Sequence, residues 1–184
     1  LNVLSNPKIS IDIKKCQIIK SKYQILDNQT NILLGIGGSG NTKRIPSETF
    51  LKFMKLCSTN YNCRFFLATG KKEEEQKILN EILQSEFNNR CIALDKLDLI
   101  DILPIIKNCK ISVCNDSSFS HLSAAVGVQT IVLMADTPLL YGSYSPSMHP
   151  IIPDGELSVT HDTLGKNKIN PDKIFEKFKK ILIN

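Results

Sequence analysis

The sequence contains no tryptophan, few other aromatic residues and no long apolar run. A membrane-spanning helix needs roughly 20 consecutive apolar residues, so no such helix is predicted. The N-terminus begins with leucine rather than methionine, and it lacks the basic start, apolar middle and small-residue cleavage site of a signal peptide. We therefore expect a chain that begins inside a longer protein or was trimmed.

Cysteine is frequent, but its spacing is not that of a metal site or a redox motif. The six cysteines form no CxxC pair and no Cys/His cluster, and several fall inside apolar runs. Reduced, buried thiols in a cytosolic protein are therefore expected, and neither disulfides nor a bound metal ion are predicted. The mild net charge of +5 suits an anionic ligand or an anionic membrane surface and does not indicate a nucleic-acid partner.

Short apolar runs alternate with longer helical patterns along the chain, which is typical of βαβ units. The sequence therefore predicts one α/β domain built on a doubly wound, Rossmann-like parallel sheet. Strands are predicted at 31–36, 63–68, 91–94, 111–114, 130–134 and 150–152, and helices at 46–58, 72–86, 98–107, 117–126 and from 171 onward.

The first 30 residues do not show this alternation clearly. Residues 31–184 form the predicted domain, whereas residues 1–30 are predicted to be a linker or the end of a preceding domain. Within that segment, residues 9–13 and 16–19 are predicted to be strand-like.

The first predicted strand ends in a glycine-rich loop that contains Ser39, Lys43 and Arg44. Its glycines match the G-x-G-x-x-G spacing, but Pro46 delays the following helix and no acidic residue ends the next strand. A dinucleotide fingerprint therefore fits poorly, and Asn41 stands where a Walker A loop needs lysine. Two interpretations stay open: a turn with solvated basic residues, or a loop whose amides and cations approach an anion.

A second polar loop follows the fourth predicted strand and contains Asp116, Ser117, Ser118 and His121. Asp116 or Ser117 can cap the next helix, whose first amides then suit a phosphate. A histidine on the surface or at the edge of the core is the plainer interpretation of His121. A Ser–His–Asp hydrolase triad is excluded, because neighbours on one turn cannot form the relay and no G-x-S-x-G elbow is present.

These two loops resemble those of a known family. The segment Asn-Asp-Ser-Ser-Phe-Ser-His-Leu-Ser-Ala-Ala-Val-Gly-Val-Gln-Thr at 115–130 is similar to the heptosyltransferase signature. The run at 37–46 resembles the same family's diphosphate-contacting loop, and 141–146 resembles its turn after the fifth strand. The resemblance covers about residues 31–152. It implies the C-terminal, donor-binding half of a GT-B glycosyltransferase of the lipopolysaccharide heptosyltransferase family.

Members of that family transfer a heptose or a related sugar from a nucleotide diphosphate donor to a lipid-linked glycan, with inversion. The resemblance implies that Lys43 stabilises the departing diphosphate beside Ser39, without a metal ion or other cofactor. It further implies a donor site formed by Ser39, Lys43, Glu73, Leu97, Asp116, Ser117, Ser118 and His121.

Two of these assignments concern the nucleoside. The segment at 70–75 resembles the family's Gly-x-x-x-Glu, in which a glutamate binds ribose hydroxyls. Glu73 is assigned this role, with Glu74 as the alternative, and an acidic first turn favoured by the helix dipole is the competing interpretation. Leu97 would line the base pocket.

The chain departs from the family pattern at Ser118, which replaces a glycine, and at Gln129, which replaces a proline. Because Ser118 adds a side chain where the backbone approaches the ligand, the identity of the donor stays open. The donor that the family resemblance implies is ADP-heptose. Inverting transfer also needs a general base. In this family that base belongs to an N-terminal acceptor-binding domain, for which the residues before Asn31 are too few.

The expected acceptor is therefore a lipopolysaccharide-type glycan held by that other domain. The resemblance further implies an enzyme of the cytoplasm, with peripheral contact to the inner face of the inner membrane as an expectation. A non-catalytic nucleotide-sugar-binding module and another GT-B enzyme, such as a nucleotide-sugar epimerase, remain the alternatives.

Overall fold

A computed structural model describes residues 6–183, which form a six-stranded parallel sheet covered by helices on both faces. The strands are β1 (Thr30–Gly35), β2 (Cys63–Ala68), β3 (Cys91–Ala93), β4 (Ile111–Asn115), β5 (Thr130–Leu133) and β6 (Met148–Ile151). The helices are α1 (Ile13–Lys22), α2 (Ser47–Asn60), α3 (Glu73–Leu83), α4 (Leu99–Lys107), α5 (Ser118–Ala125) and α6 (Pro171–Ile183), with 3₁₀ turns at Asn88–Arg90, Leu139–Gly142 and Lys166–Lys168.

The strand order is β3-β2-β1-β4-β5-β6, so the chain reverses its direction of winding between β1 and β4. This is the predicted doubly wound topology. In such sheets the crevice beyond the carboxyl ends of the two strands at the reversal is the usual place for a ligand. A ligand site is therefore expected at the loops that follow β1 and β4.

Side chains of the central strands alternate between two apolar cores, because successive residues of a strand point to opposite faces. On β1, Ile32 and Leu34 pack with α2, α3 and α6, whereas Leu33 packs on the opposite face, where α1 and α4 lie. All three are fully buried. Burial on both faces explains the continuous apolar runs from which the strands were predicted.

The prediction of strand-like runs at 9–13 and 16–19 is wrong. Residues 16–19 lie in α1, whose N-cap residue Asp12 accepts a hydrogen bond from the backbone amide of Lys14 at 2.8 Å. The helix packs against α4, and Ile19 is buried in the same core as Leu33. Ile19 is the buried residue of α1, so the sequence of this helix shows little helical periodicity. The adjacent apolar residues Ile18 and Ile19 therefore gave the pattern of a short strand. The assignment of residues 1–30 to a linker or a preceding domain stays a prediction.

Candidate functional site

The carboxyl ends of β1, β2, β4 and β5 open onto two adjoining cavities, of about 460 Å³ and about 350 Å³. Both cavities are lined by Ser39 from the loop after β1 and by Ser117 and Ser118 from the start of α5. The larger one is further lined by Gly37, Gly38, Thr69, Gly70, Lys72, Glu75 and Phe119, and the smaller one by Lys43, Asp116, His121, Thr137, Tyr141 and His161. Six of the eight predicted donor-site residues therefore meet at one edge of the sheet.

Two buried side chains hold the glycine-rich loop in place. The Asn115 amide donates to the carbonyl oxygens of Ile36 and Gly37, at 2.9 and 3.2 Å. Arg44 is a buried residue, and its guanidinium donates to the carbonyl of Gly38 at 3.0 Å. Because Arg44 is used in this way, the positive charge that this loop presents to the cavities comes from Lys43.

Glu75 is the acidic residue that faces the larger cavity, and the sequence analysis missed it. Its carboxylate is buried and accepts a hydrogen bond from the backbone amide of Gly38 at 2.9 Å. Glu73 and Glu74 are exposed and line a separate groove between α2 and α3, so the structure does not bring them to either cavity. A signal was available in the sequence, because Glu75 lies four and seven positions before two apolar residues, 79 and 82, that form the buried face of α3.

Lys43 and Asp116 form an ion pair on the wall of the smaller cavity. The Lys43 Nζ lies 3.0 Å from the Asp116 Oδ2, which also accepts a hydrogen bond of 2.6 Å from the hydroxyl of Thr137. The Asp116 side chain is only 5% exposed, whereas that of Lys43 is 27% exposed. The carboxylate is therefore the buried partner of the pair, and the ammonium group is the more accessible one.

The start of α5 provides the third wall. Of the two residues predicted as possible caps of this helix, Asp116 and Ser117, the N-cap residue is Ser117, in an extended backbone conformation. Its side chain makes no capping hydrogen bond. Its buried hydroxyl has no protein partner among the described residues. Ser118 and Phe119, the first residues of the helix, line the larger cavity. The helix dipole and the free amides at such an N-terminus favour an anion.

His121 lies one turn into α5 and faces the smaller cavity. Its Nε2 is 3.9 Å from the Asp116 Oδ1, and its Nδ1 is 2.9 Å from the hydroxyl oxygen of Tyr144. Leu97, by contrast, packs against the core beyond β3 and does not line either cavity.

Two further observations concern the whole described segment. Within residues 6–183, no three His, Cys, Asp or Glu side chains come together as a metal ion would require. None of the helices in the same range is both long and apolar enough to cross a bilayer.

Comparison with known proteins points to one family. Residues 3–158 match the model of the family described as glycosyltransferase family 9 (heptosyltransferase). A curated relative, lipopolysaccharide heptosyltransferase 1 of Campylobacter coli, is 27% identical over 150 residues, which are 80% of this chain and 44% of that protein. The matched region thus spans less than half the length of this relative.

Solved structures share the fold. The E. coli ADP-heptose lps heptosyltransferase II superposes with a TM-score of 0.75 at 20% identity, over 96% of this chain and 54% of that one. An E. coli heptosyltransferase with ADP gives a TM-score of 0.71 at 17% identity, over 96% and 52% respectively. The predicted fold class, an α/β domain on a doubly wound, Rossmann-like parallel sheet like that in one half of GT-B glycosyltransferases, is therefore confirmed.

Proposed function

The chain belongs to glycosyltransferase family 9, and we propose that it forms the donor-binding part of a heptosyltransferase-like enzyme. The observation that carries the proposal is the meeting of the glycine-rich loop, Lys43 and the N-terminus of α5 around two adjoining cavities. Each of these elements suits the phosphates of a nucleotide diphosphate sugar. The cavities together are large enough for such a ligand.

The diphosphate is proposed to lie between Lys43 and the start of α5. Ser39, Ser117 and Ser118 line both cavities, so the hydroxyls of Ser39 and Ser118 and the backbone amides at the start of α5 are placed to reach phosphate oxygens. Lys43 then shares its charge between Asp116 and the diphosphate, and it stabilises the negative charge that develops on the leaving group. This role requires no metal ion, and we propose metal-independent transfer.

Glu75, rather than Glu73, is proposed to bind the ribose. Its buried carboxylate makes one hydrogen bond to the amide of Gly38 and lines the larger cavity. A buried carboxylate gains from additional hydroxyl donors, because burial makes unpaired charge costly. The base is proposed to lie beyond Glu75, toward Leu97. ADP-heptose is the proposed donor, because one similar E. coli structure is described as an ADP-heptose lps heptosyltransferase and another is described with ADP.

The acceptor and the general base are proposed to belong to the part of the enzyme that this chain does not span. By the family's chemistry, the acceptor is a lipopolysaccharide-type glycan, and transfer takes place in the bacterial cytoplasm at the membrane surface. Family membership favours this transferase function over the epimerase alternative. A non-catalytic binding module would keep the donor site and lack transfer.

Calorimetry with ADP, GDP and UDP tests the donor site directly. We expect ADP to bind in the presence of EDTA, and Lys43→Ala to weaken binding about 10- to 100-fold, as expected for the loss of a charged hydrogen-bond partner. Glu75→Gln and Glu73→Gln form a matched pair, of which only the first should weaken binding. If no nucleotide binds to the chain, the donor-site proposal fails.

Transfer itself is tested in the full-length enzyme with ADP-heptose and a heptose-free lipopolysaccharide core. Product formation that depends on Lys43 supports the enzyme. Binding of ADP by the full-length protein without any transfer would instead indicate the non-catalytic module.

A further inference from the structure

Tyr144 contacts His121, a residue of the smaller cavity, in two ways. Its hydroxyl oxygen lies 2.9 Å from the His121 Nδ1, and the two rings stack at a centroid distance of 5.7 Å with an angle of 16° between their planes. Stacking fixes the plane of the imidazole, and the polar contact fixes which edge of the ring faces the cavity. Together they leave the Nε2 edge directed toward Asp116, whose Oδ1 is 3.9 Å away.

The position of Tyr144 depends on how closely the preceding 3₁₀ turn, Leu139–Gly142, approaches the sheet. Gly142 is buried, and a Cβ atom at this position would collide with the side chain of Met134 at the end of β5. The absence of a side chain therefore lets the turn lie against the sheet and brings Tyr144 over the helix that carries His121. The aromatic pair joins α5 to the segment after β5, which is distant from it in the sequence.

The protonation of the phenol decides what this contact does to the imidazole. Partial burial raises the pKa of Tyr144 above its ordinary value, so the phenol stays protonated at neutral pH. A protonated phenol can donate its hydrogen to the lone pair of a neutral imidazole nitrogen. When Nδ1 accepts this hydrogen bond, the proton of the neutral ring is carried by Nε2.

We propose that Tyr144 is a positioning residue that holds neutral His121 as the Nε2–H tautomer, with that N–H directed at Asp116 and the smaller cavity. His121 then acts on a ligand as a hydrogen-bond donor and not as a base. The consequence for donor binding rests on the proposed function: an N–H at this place can donate to a phosphate or a sugar hydroxyl held beside Lys43. The tautomer itself does not depend on which ligand binds.

Nitrogen NMR of the 15N-histidine-labelled chain tests the tautomer without any ligand. The chain has three histidines, and His121→Gln identifies the signals of His121. In the wild type at a pH where the ring is neutral, we expect an unprotonated Nδ1 and a protonated Nε2. Tyr144→Phe keeps the stacking ring and removes the hydroxyl, so both signals should move toward the average of the two exchanging tautomers. Tyr23→Phe, remote from the cavities, should leave them in place.

A double-mutant cycle tests whether Tyr144 acts through His121. Tyr144→Phe should weaken ADP binding about three- to tenfold, in line with the loss of one neutral hydrogen bond. In a His121→Gln background the same change should have no further effect, whereas a purely structural role would give an equal loss in both backgrounds. Three results would each overturn the proposal: an equal loss of ADP affinity in both backgrounds, a protonated Nδ1 in the wild type, or unchanged histidine signals in Tyr144→Phe. If the NMR signals are as expected but neither the wild type nor any variant binds ADP, the donor-site proposal fails and the proposed tautomer of His121 stands.

Discussion

The carboxylate of Glu75 accepts a hydrogen bond from the backbone amide of Gly38, 37 residues earlier in the chain. This bond joins the first turn of α3 to the loop after β1, and it lies at the wall of the larger cavity. Two glycines make room for it. A Cβ atom at either Gly37 or Gly70 would collide with the Glu75 carboxylate. The absence of side chains at both positions therefore leaves room for the Glu75 carboxylate where it bonds to Gly38.

Gly70→Ala is expected to destabilise the protein and to weaken nucleotide binding. The added methyl group would displace the Glu75 carboxylate from the amide of Gly38, and overpacking of this kind costs about 1–3 kcal/mol. Gly40→Ala is the matched control, because its Cβ atom would make only ordinary contacts, the nearest at 3.8 Å. Urea denaturation of both variants gives the comparison. Equal free energies of unfolding for the two would show that Gly70 is not under this constraint.

Thr137→Val should destabilise the protein by about 1–3 kcal/mol, because it leaves a buried carboxylate oxygen with one partner fewer. The Thr137 hydroxyl is buried and donates to the Asp116 Oδ2 at 2.6 Å. Valine keeps the shape of the side chain and removes the donor. Thr59→Val is the control, since its hydroxyl donates to a backbone carbonyl on an exposed helix surface. Thermal unfolding of the three proteins checks the expectation, which an equally small change in both variants would contradict.

The sheet could be predicted from the sequence because its signals are local. Strand β2 was predicted at 63–68, its observed bounds, since a run of apolar residues buried on both faces needs no distant information. The glycine-rich loop and the Asp116–His121 turn were found for the same reason. In a parallel sheet, loops that follow strands meet at one edge, so the topology brings them together.

The parts that were missed depend on contacts between distant segments. The choice of Glu75 over Glu73 requires the rotational phase of α3, which is set by packing against the sheet. Thr137 and Tyr144 both follow β5, and nothing in their local sequence marks them as partners of Asp116 and His121.

The packing of α1 predicts different effects for two adjacent isoleucines. Ile19 is 4% exposed and lies in the core beneath α4, whereas Ile18 is 66% exposed. Ile19→Ala should lower the free energy of unfolding by about 2–4 kcal/mol, as is typical of buried large-to-small changes. Ile18→Ala should change it by less than about 0.5 kcal/mol. If unfolding is a single cooperative transition and only Ile19→Ala is destabilised, α1 unfolds together with the sheet. Similar effects of the two changes on the free energy of unfolding would show that it does not.

His149 makes the stability of the protein depend on pH. Partial burial, together with the nearby charge of Lys177, lowers the pKa of His149 below its ordinary value, and its Nε2 contacts the side-chain oxygen of Gln129. In the pH range between the lowered and the ordinary pKa, the unfolded chain binds more protons than the folded one. The free energy of unfolding therefore rises with pH in this range.

The stability that depends on a neutral His149 is fully present above the ordinary histidine pKa of about 6.5. It is lost as the pH falls through the lowered pKa that His149 has in the folded protein. His149→Gln should abolish this loss. The measurement is urea denaturation of the wild type and the variant at about pH 8 and at about pH 5. The wild type should lose more stability than His149→Gln on acidification, and the same substitution at the exposed His161 should not reduce the loss. Parallel losses in the wild type and in His149→Gln would show that protonation of His149 does not oppose folding.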